Sequence, residues 1–122
     1  MTAGELMKRR FQVIHADASL EEVAHQLESC ESDPLPVCKD GLLVGLISRR
    51  EIAARVPPVR RRAAAIRVAD VIAPDILFCF ESTEVMEAAV LMRENRVPSL
   101  PVLSPTKKVV GVLALKDIPG TV

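Results

Sequence analysis

The apolar positions of this chain form two helical stripes, each set among short β-rich runs. Each stripe follows the i, i+3, i+4, i+7 spacing of one face of a helix, from residue 20 and again from residue 85. The members of the two stripes are Leu20, Val23, Ala24 and Leu27, and Val85, Ala88, Ala89 and Met92. The spacing predicts amphipathic helices over residues 20–27 and 85–92.

Runs rich in β-branched and aromatic residues flank both stripes and predict short strands. They cover residues 11–14, 35–38 and 42–47 in the first half, and residues 76–80, 100–103 and 109–113 in the second. A helical turn is predicted before each set, at residues 4–8 and 69–73, and a last helix is predicted to begin near Ser48 and near Ala114. The order of elements is β-α-β-β-α in both halves, so the predicted fold class is α/β (α+β).

The two halves also match in sequence. Leu-Pro-Val around Pro36 returns around Pro101, 65 positions later, and the Gly-hydrophobic-hydrophobic run at Gly45 returns at Gly111, 66 positions later. The extra residue falls in a longer second-half turn at residues 104–108. Self-similarity on this scale predicts two copies of one supersecondary unit that bury their apolar faces against each other. We therefore expect two repeats packed sheet to sheet with pseudo-twofold symmetry.

Short polar motifs mark where the predicted elements begin and turn. Ser19 followed by Glu22 is a capping box for the first helix, and Thr83 is the predicted cap of the second. Asp40-Gly41 predicts a tight hairpin between the two strands of the first copy. These motifs give each repeat defined helix starts and turns.

The repeats predict the domain boundaries. The first repeat covers residues 1–54 and the second covers residues 68–122, and together they form one module. Residues 55–67 carry five arginines, two prolines and no acidic residue, so they are the predicted linker. The basic linker is either a solvated surface or a binding site for an anion, on a ligand phosphate or on an acidic partner.

Composition and charge exclude several classes of partner. The 122 residues include 16 basic and 16 acidic side chains, so no net field attracts nucleic acid or an anionic membrane surface. Three Phe without Trp or Tyr do not form a stacking platform for single strands. There is no apolar run of about 18 residues and no signal-peptide core. The three cysteines, Cys30, Cys38 and Cys79, lie in apolar segments without metal-ligand spacing. We expect a cytoplasmic protein that binds neither nucleic acid nor membranes.

The sequence lacks the residue sets that catalysis requires. It has no nucleophilic Ser or Cys paired with a plausible His, no metal-binding cluster and no phosphate loop of the Gly-x-x-x-x-Gly-Lys-Ser/Thr kind. His15 and His25 are isolated from carboxylates and cysteines at ligand spacing. We therefore predict that the chain is not an enzyme, needs no cofactor and binds no metal.

The duplicated β-α-β-β-α unit resembles the CBS domain, here as the tandem pair called a Bateman module. The resemblance rests on the Leu-Pro-Val strand and the Gly-hydrophobic-hydrophobic-Thr/Ser-x-x-Asp ending, and it covers residues 3–118. It implies two clefts that take adenosine-containing ligands such as AMP, ADP, ATP or S-adenosylmethionine, and pairs that dimerise. A ligand touching both copies would shift the balance between two relative orientations of the repeats.

The resemblance implies a set of binding residues for each cleft. The glycine lets the last strand approach without a side chain, the hydroxyl and the following helix start face a phosphate, and the acid accepts the ribose hydroxyls. The favoured cleft is that of the second repeat, with Asp117, Ala114, Lys116, Val97, Pro98, Ile72 and Leu77. The first-repeat cleft would use Ser48, Glu51, Arg50, Ser32, Asp33, Met7 and Gln12.

The ligand motif is divided between the copies, which leaves two functions open. The first copy keeps the hydroxyl at Ser48 but has Glu51 for the acid, whereas the second keeps Asp117 but has Ala114 for the hydroxyl. One hypothesis is a regulatory module that senses an adenosyl ligand and signals to a separate effector protein. The alternative is a structural homodimerisation module with degenerate, unoccupied clefts. Ser48, Glu51 and Asp117 would in that case only complement helix starts.

Overall fold

The computed structural model describes residues 1–28, 34–48, 50–51, 66–70, 72 and 76–120. The helices are α1 (Ala3–Leu6), α2 (Leu20–Glu28) and α3 (Val85–Glu94). The strands are β1 (Ile14–His15), β2 (Leu35–Lys39), β3 (Leu42–Ile47), β4 (Cys79–Phe80), β5 (Ser99–Leu103) and β6 (Val109–Ala114). The described residues also include two 3₁₀ turns, Val68–Asp70 and Leu115–Asp117, and helical residues at 50–51, where a predicted last helix begins near Ser48. The predicted α/β class is confirmed.

The strands form two three-stranded sheets with the same topology. In the order β1-β2-β3, β1 is parallel to β2 and β2 is antiparallel to β3, and β4-β5-β6 repeats this arrangement. Each antiparallel pair has a register shift at the same place, after Val37 in β2 and after Val102 in β5. The two halves therefore share even this irregularity of the ladder.

The first strand of each repeat is shorter than its β-rich sequence predicts. Residues 11–14 and 76–80 were expected to be strands, but the parallel ladders begin only at Ile14 and Cys79 and contain two pairs each. A strand is defined by its ladder, so the β-rich residues ahead of the first pair belong to no sheet.

The chain divides into two compact units, and each unit contains residues from both predicted repeats. One unit joins residues 1–11 to residues 77–122, and the other contains residues 12–76. We call the first the second-repeat unit and the other the first-repeat unit. The short segment ahead of the first strand of each repeat therefore packs on the sheet of the other repeat.

Equivalent backbone hydrogen bonds hold these exchanged segments in place. The N–H of Val85 donates to the carbonyl of Met1 (3.0 Å), and the N–H of Leu20 donates to the carbonyl of Ile66 (2.9 Å). These bonds satisfy the first N–H of each amphipathic helix, which has no acceptor within the helix itself. A 65-position offset relates the two bonds, so the exchange is the same in both units.

Further bonds fix α1 and its counterpart, the 3₁₀ turn Val68–Asp70. The N–H of Ala3 donates to the carbonyl of Thr83 (2.7 Å), as the N–H of Val68 donates to that of Ala18 (2.9 Å). Ala3 and Val68 are both fully buried. α1 thus begins one residue before the predicted turn at 4–8 and ends at Leu6. The turn Val68–Asp70 begins one residue before the predicted turn at 69–73, of which residues 71 and 73 lie outside the described residues.

Each unit has its own aliphatic core. In the first-repeat unit the core joins one face of α2 to β1, β2 and β3; its buried members are Ile14, Ala16, Leu20, Val23, Leu35, Val37, Ile47 and Val68. In the second-repeat unit it joins α1 and α3 to the strands; its buried members are Ala3, Met7, Cys79, Val85, Ala88, Ala89, Met92, Leu100, Val102, Leu113 and Ile118. The four positions of the second helical stripe are all buried, as the periodicity predicts.

The helix starts confirm one sequence prediction and correct another. The N–H of Glu22 donates to Ser19 Oγ (3.1 Å) and the N–H of Ser19 donates to Glu22 Oε2 (3.4 Å), which is the predicted capping box. Thr83, in contrast, does not cap α3. Its Oγ1 accepts the N–H of Phe80 (3.0 Å), and Glu84 occupies the cap position without a side-chain cap bond.

The turns follow their predicted chemistry. Lys39 pairs with Leu42, so Asp40 and Gly41 form a two-residue hairpin, and both have positive φ (54° and 81°) as a type I′ turn requires. The last predicted helix of the second copy is only the 3₁₀ turn Leu115–Asp117.

Candidate functional site

The site in the second-repeat unit begins with the approach of the N-terminal segment to β6. Lys8 and Val112 exchange two backbone hydrogen bonds, of 2.8 Å from the N–H of Lys8 and 3.0 Å from the N–H of Val112. A Cβ at Gly111 would collide with Met7 Sδ and would lie 3.0 Å from the carbonyl oxygen of Lys8. Gly111 is therefore required because the segment preceding the other repeat packs directly on this strand.

Asp117 is the acidic group of this site, and Lys8 is its partner. Lys8 Nζ lies 3.7 Å from Asp117 Oδ2. The two side chains are 58% and 34% exposed, so water screens the pair and it contributes little to stability. Asp117 thus offers a carboxylate to solvent with a lysine ammonium beside it.

The turn that carries Asp117 is fixed to the residues that enter β5. The N–H of Leu115 donates to the carbonyl of Pro98 (2.9 Å), and Ser99 is paired with Ala114 across the ladder. Val97 is half-buried against the core of the unit, whereas Pro98 is exposed. An apolar surface at Val97 and Pro98 therefore lies next to the strand end that leads into Asp117.

The remaining sequence-predicted residues of this cleft divide between the two units. Ala114 is half-buried, Lys116 is exposed, and Leu77 packs on the core of the second-repeat unit. Ile72, however, belongs to the first-repeat unit, where its Cδ1 is the atom nearest to a Cβ placed on Gly45, at 2.9 Å. The structure therefore does not bring Ile72 together with Asp117 within one unit.

In the first-repeat unit, the predicted phosphate hydroxyl has a structural partner. Ser48 Oγ accepts the N–H of Glu51 (3.1 Å) and donates to Glu51 Oε1 (3.3 Å), so it acts as a helix cap. Arg50, in the same helical turn, is exposed, and so is Gln12. The hydroxyl and the acid that the family motif assigns to a ligand are therefore bonded to each other.

Three other residues assigned to the first-repeat cleft are placed differently or not described. Met7 lies in the second-repeat unit, against Gly111, because the segments are exchanged. Ser32 and Asp33 lie outside the described residues. Met7, assigned to the first-repeat cleft, thus packs on Gly111 of the second repeat. Ile72, assigned to the second-repeat cleft, packs on Gly45 of the first repeat.

Lys8 was not among the predicted site residues. It is separated from Asp117 by most of the sequence, and the prediction assigned residues to clefts by repeat, so only the exchange of segments reveals the contact. The available signal was chemical: by the 65-position offset Lys8 corresponds to Ala73, so the two repeats differ in charge at this position.

The buried thiols do not contribute reactive groups. Burial raises the pKa of the Cys79 thiol to about 11 and also raises the pKa of Cys38, because an apolar environment disfavours the thiolate. Within the described residues, no group of three or more His, Cys, Asp or Glu is placed to hold a metal ion. The described helices also include none that is long and apolar enough to cross a membrane.

Known proteins are similar to this chain over nearly its whole length. The family model of the CBS domain matches residues 3–57 and 68–118. The inosine-5'-monophosphate dehydrogenase of Methanocaldococcus jannaschii is 28% identical over 117 residues, which are 95% of this chain and 22% of that protein. The chain thus spans about a fifth of the length of this curated relative.

Solved structures share the fold. A crystal structure of CBSX2 in complex with AMP has a TM-score of 0.80 and 25% identity, covering 95% of this chain and 91% of that one. The cytosolic domain of the Mg²⁺ channel MgtE in complex with ATP has a TM-score of 0.81 and 25% identity, covering 95% of this chain and 46% of that one. With both of its repeats matched by the family model, the chain belongs to the CBS domain family as a tandem pair.

Proposed function

We propose that this chain is a regulatory module that binds an adenosine-containing ligand at Asp117 in the second-repeat unit. The observation that carries the proposal is a partly exposed carboxylate held next to an apolar surface. Asp117 is 34% exposed, and its turn is bonded to Pro98 through Leu115. The complexes of CBSX2 with AMP and of MgtE with ATP support the ligand class.

The roles of the residues follow from their chemistry. A carboxylate accepts two hydrogen bonds at once, which matches the pair of ribose hydroxyls. Val97 and Pro98 offer the apolar contact that a purine face requires. Ala114 has no hydroxyl for a phosphate, so that charge must be met by a basic side chain, of Lys116 or of the linker.

Calorimetric titration with AMP, ADP, ATP and S-adenosylmethionine tests this proposal. Charge-assisted hydrogen bonds contribute ~1.5–3 kcal/mol, so Asp117→Ala should weaken binding about tenfold to a hundredfold. Glu51→Ala is the matched control in the other repeat, and it should change the affinity much less. Failure of every adenosyl compound to bind, or binding that is indifferent to Asp117→Ala, would refute the proposal.

Thermal unfolding gives an independent measurement. A ligand at 100 times its dissociation constant adds about 2.7 kcal/mol to the unfolding free energy if it binds only the folded protein.

The bound ligand would act by changing how the module engages a separate effector protein. In this proposal the chain has no catalytic role and needs no cofactor, and the cytoplasmic location expected from the sequence stays a prediction.

A structural homodimerisation module is the second candidate, and exposed side chains on α3 favour it. Met86 and Val90 are 51% and 48% exposed and lie one helical turn apart. Leu91, which follows Val90, packs partly on the core of its own unit and does not extend this apolar surface. Exposed apolar surface of this kind is typical of an interface between proteins.

Light scattering distinguishes a dimer from the 13.3 kDa monomer. We expect the dimer mass at micromolar concentration, and we expect Met86→Glu with Val90→Glu to convert it to monomer. Leu42→Glu, at an exposed apolar position on β3, is the control and should leave the mass unchanged. A monomer mass for the unmodified chain would exclude this assembly.

A further inference from the structure

We propose that Lys8 recognises the phosphate of the ligand, so that the second-repeat site binds phosphorylated adenosine ligands in preference to adenosyl compounds without phosphate. The inference rests on the proposed function, since it names the ligand class for the same site. It assigns a binding role to Lys8, which is in neither of the two sets of cleft residues that the family resemblance implies.

The position of Lys8 is fixed while its side chain remains free to move. Two backbone hydrogen bonds with Val112 hold the main chain of Lys8 on β6. The side chain is 58% exposed and ends 3.7 Å from Asp117. Because this ion pair is long and open to water, little free energy is lost when Lys8 turns from the carboxylate to another anion.

The charges at the site support an anionic ligand. Asp117 alone would repel a phosphate placed near the ribose. Lys8 compensates that charge, and Lys116, exposed in the same turn as Asp117, adds a second ammonium group. When the ribose hydroxyls occupy the carboxylate of Asp117, the ammonium of Lys8 loses its partner and can pair with a phosphate within reach.

The two repeats differ at this position. The 65-position offset relates Lys8 to Ala73, which carries no charge, so the sequence has no ammonium group at the position that corresponds to Lys8. In that unit, Ser48 and Glu51 also bond to each other. Phosphate recognition by a lysine of the exchanged segment is therefore a property of the second-repeat site.

Paired titrations with AMP and adenosine measure the contribution of the phosphate directly. Unmodified protein should bind AMP at least about tenfold more tightly than adenosine, because a charge-assisted contact is added. Lys8→Gln should weaken AMP about tenfold to a hundredfold while adenosine changes by less than about threefold. Lys8→Arg should retain most of the preference for AMP. S-adenosylmethionine, whose sulfonium is positive, should not be weakened by Lys8→Gln.

The control is Lys108→Gln, an exposed lysine at the opposite end of β6, which should leave both affinities unchanged. Equal binding of AMP and adenosine, or equal losses for both in Lys8→Gln, would overturn the role of Lys8 and leave the proposed function standing. Binding of neither compound to unmodified protein would overturn the role of Lys8, and the proposed function would fall with it only if ADP, ATP and S-adenosylmethionine also failed to bind. Circular dichroism and thermal unfolding of Lys8→Gln should match those of the unmodified protein, which checks that the substitution leaves the second-repeat unit folded.

Discussion

Replacing Gly111 by alanine should destabilise the protein because it displaces the N-terminal segment from β6. The added Cβ would collide with Met7 Sδ, and would lie 2.8 Å from Met7 Cγ and 3.0 Å from the carbonyl oxygen of Lys8. The side chain of Met7 could rotate away, but the carbonyl of Lys8 is held by its bond to Val112. The substitution therefore forces the strand and the segment apart.

The expected loss of unfolding free energy follows from the contacts that Met7 and Lys8 of the N-terminal segment make. Met7 is only 8% exposed, and burying a methionine side chain contributes about 1.5–3 kcal/mol. Each of the two bonds between Lys8 and Val112 contributes about 0.5–1.5 kcal/mol. Only part of these contributions is lost, and alanine gains about 0.5–1 kcal/mol over glycine within a strand. We expect the unfolding free energy to fall by about 2–4 kcal/mol.

Gly45→Ala is the matched control in the other repeat. Its nearest obstacle is Cδ1 of Ile72 at 2.9 Å, a terminal methyl group that can move, and its next contacts are at 3.4 and 3.5 Å. We expect a loss of about 1 kcal/mol or less, since the three nearest atoms all belong to the side chain of Ile72. Urea unfolding followed by circular dichroism measures both variants.

A double variant identifies the cause. In a Met7→Ala background the collision with the sulfur is removed, so Gly111→Ala should cost at least about 1 kcal/mol less than it does alone. The reasoning is refuted if Gly111→Ala costs no more than Gly45→Ala. A cost that is the same with and without the Met7 side chain would assign the whole loss to the carbonyl oxygen of Lys8.

Further substitutions and measurements test separate parts of the structure. Gly41→Ala should lower the unfolding free energy by about 1 kcal/mol in urea unfolding, since φ is +81° and no atom lies within 4 Å of the new Cβ. Glu84→Ser should raise the unfolding free energy by about 0.5–1 kcal/mol, because the new serine forms with Glu87 a capping box like that of Ser19 in α2. Ser19→Ala, which removes the existing capping box, should lower the unfolding free energy by about 1 kcal/mol. Alkylation of Cys79 at pH 8 should be about 100-fold slower in folded than in urea-unfolded protein, because a pKa of about 11 in place of 9.0 reduces the thiolate fraction about that much. As pH rises, the Cys79 thiol loses its proton at lower pH in the unfolded chain than in the folded protein, because its pKa is lower there. The contribution of Cys79 should therefore make the unfolding free energy fall between pH 9 and about pH 11.

The sequence correctly predicted the helices and the hairpin that are determined by residues close together in the chain. The i, i+3, i+4, i+7 stripes located both helices to within two residues, and Asp40-Gly41 located a hairpin because its positive φ angles are a property of those two residues. The cap of α3 was predicted wrongly at Thr83. The 65-position offset relates Ser19 to Glu84, so the repeat itself would have located the cap, but the preference of threonine for cap positions favoured the neighbouring residue.

The candidate site could be predicted only in part, because its composition depends on contacts between distant residues. Asp117, Val97 and Pro98 come from one repeat, so their spacing was sufficient to group them. Met7 and Ile72 were grouped by repeat, but each packs on the glycine of the other repeat. No periodicity within a repeat indicates which sheet its preceding segment will join.

The exchange of segments has a consequence for the order in which the protein folds during synthesis. The first-repeat unit is contiguous in sequence and is complete once residue 76 has left the ribosome, whereas the second-repeat unit needs both residues 1–11 and residues 77–122. The N-terminal segment is made first, yet Ala3 and Met7 are buried only when the last strands have formed. A circularly permuted chain running from residue 77 through 122 and then from 1 to 76 would make both units contiguous. That permutant should form the second-repeat unit without closing a loop over residues 12–76.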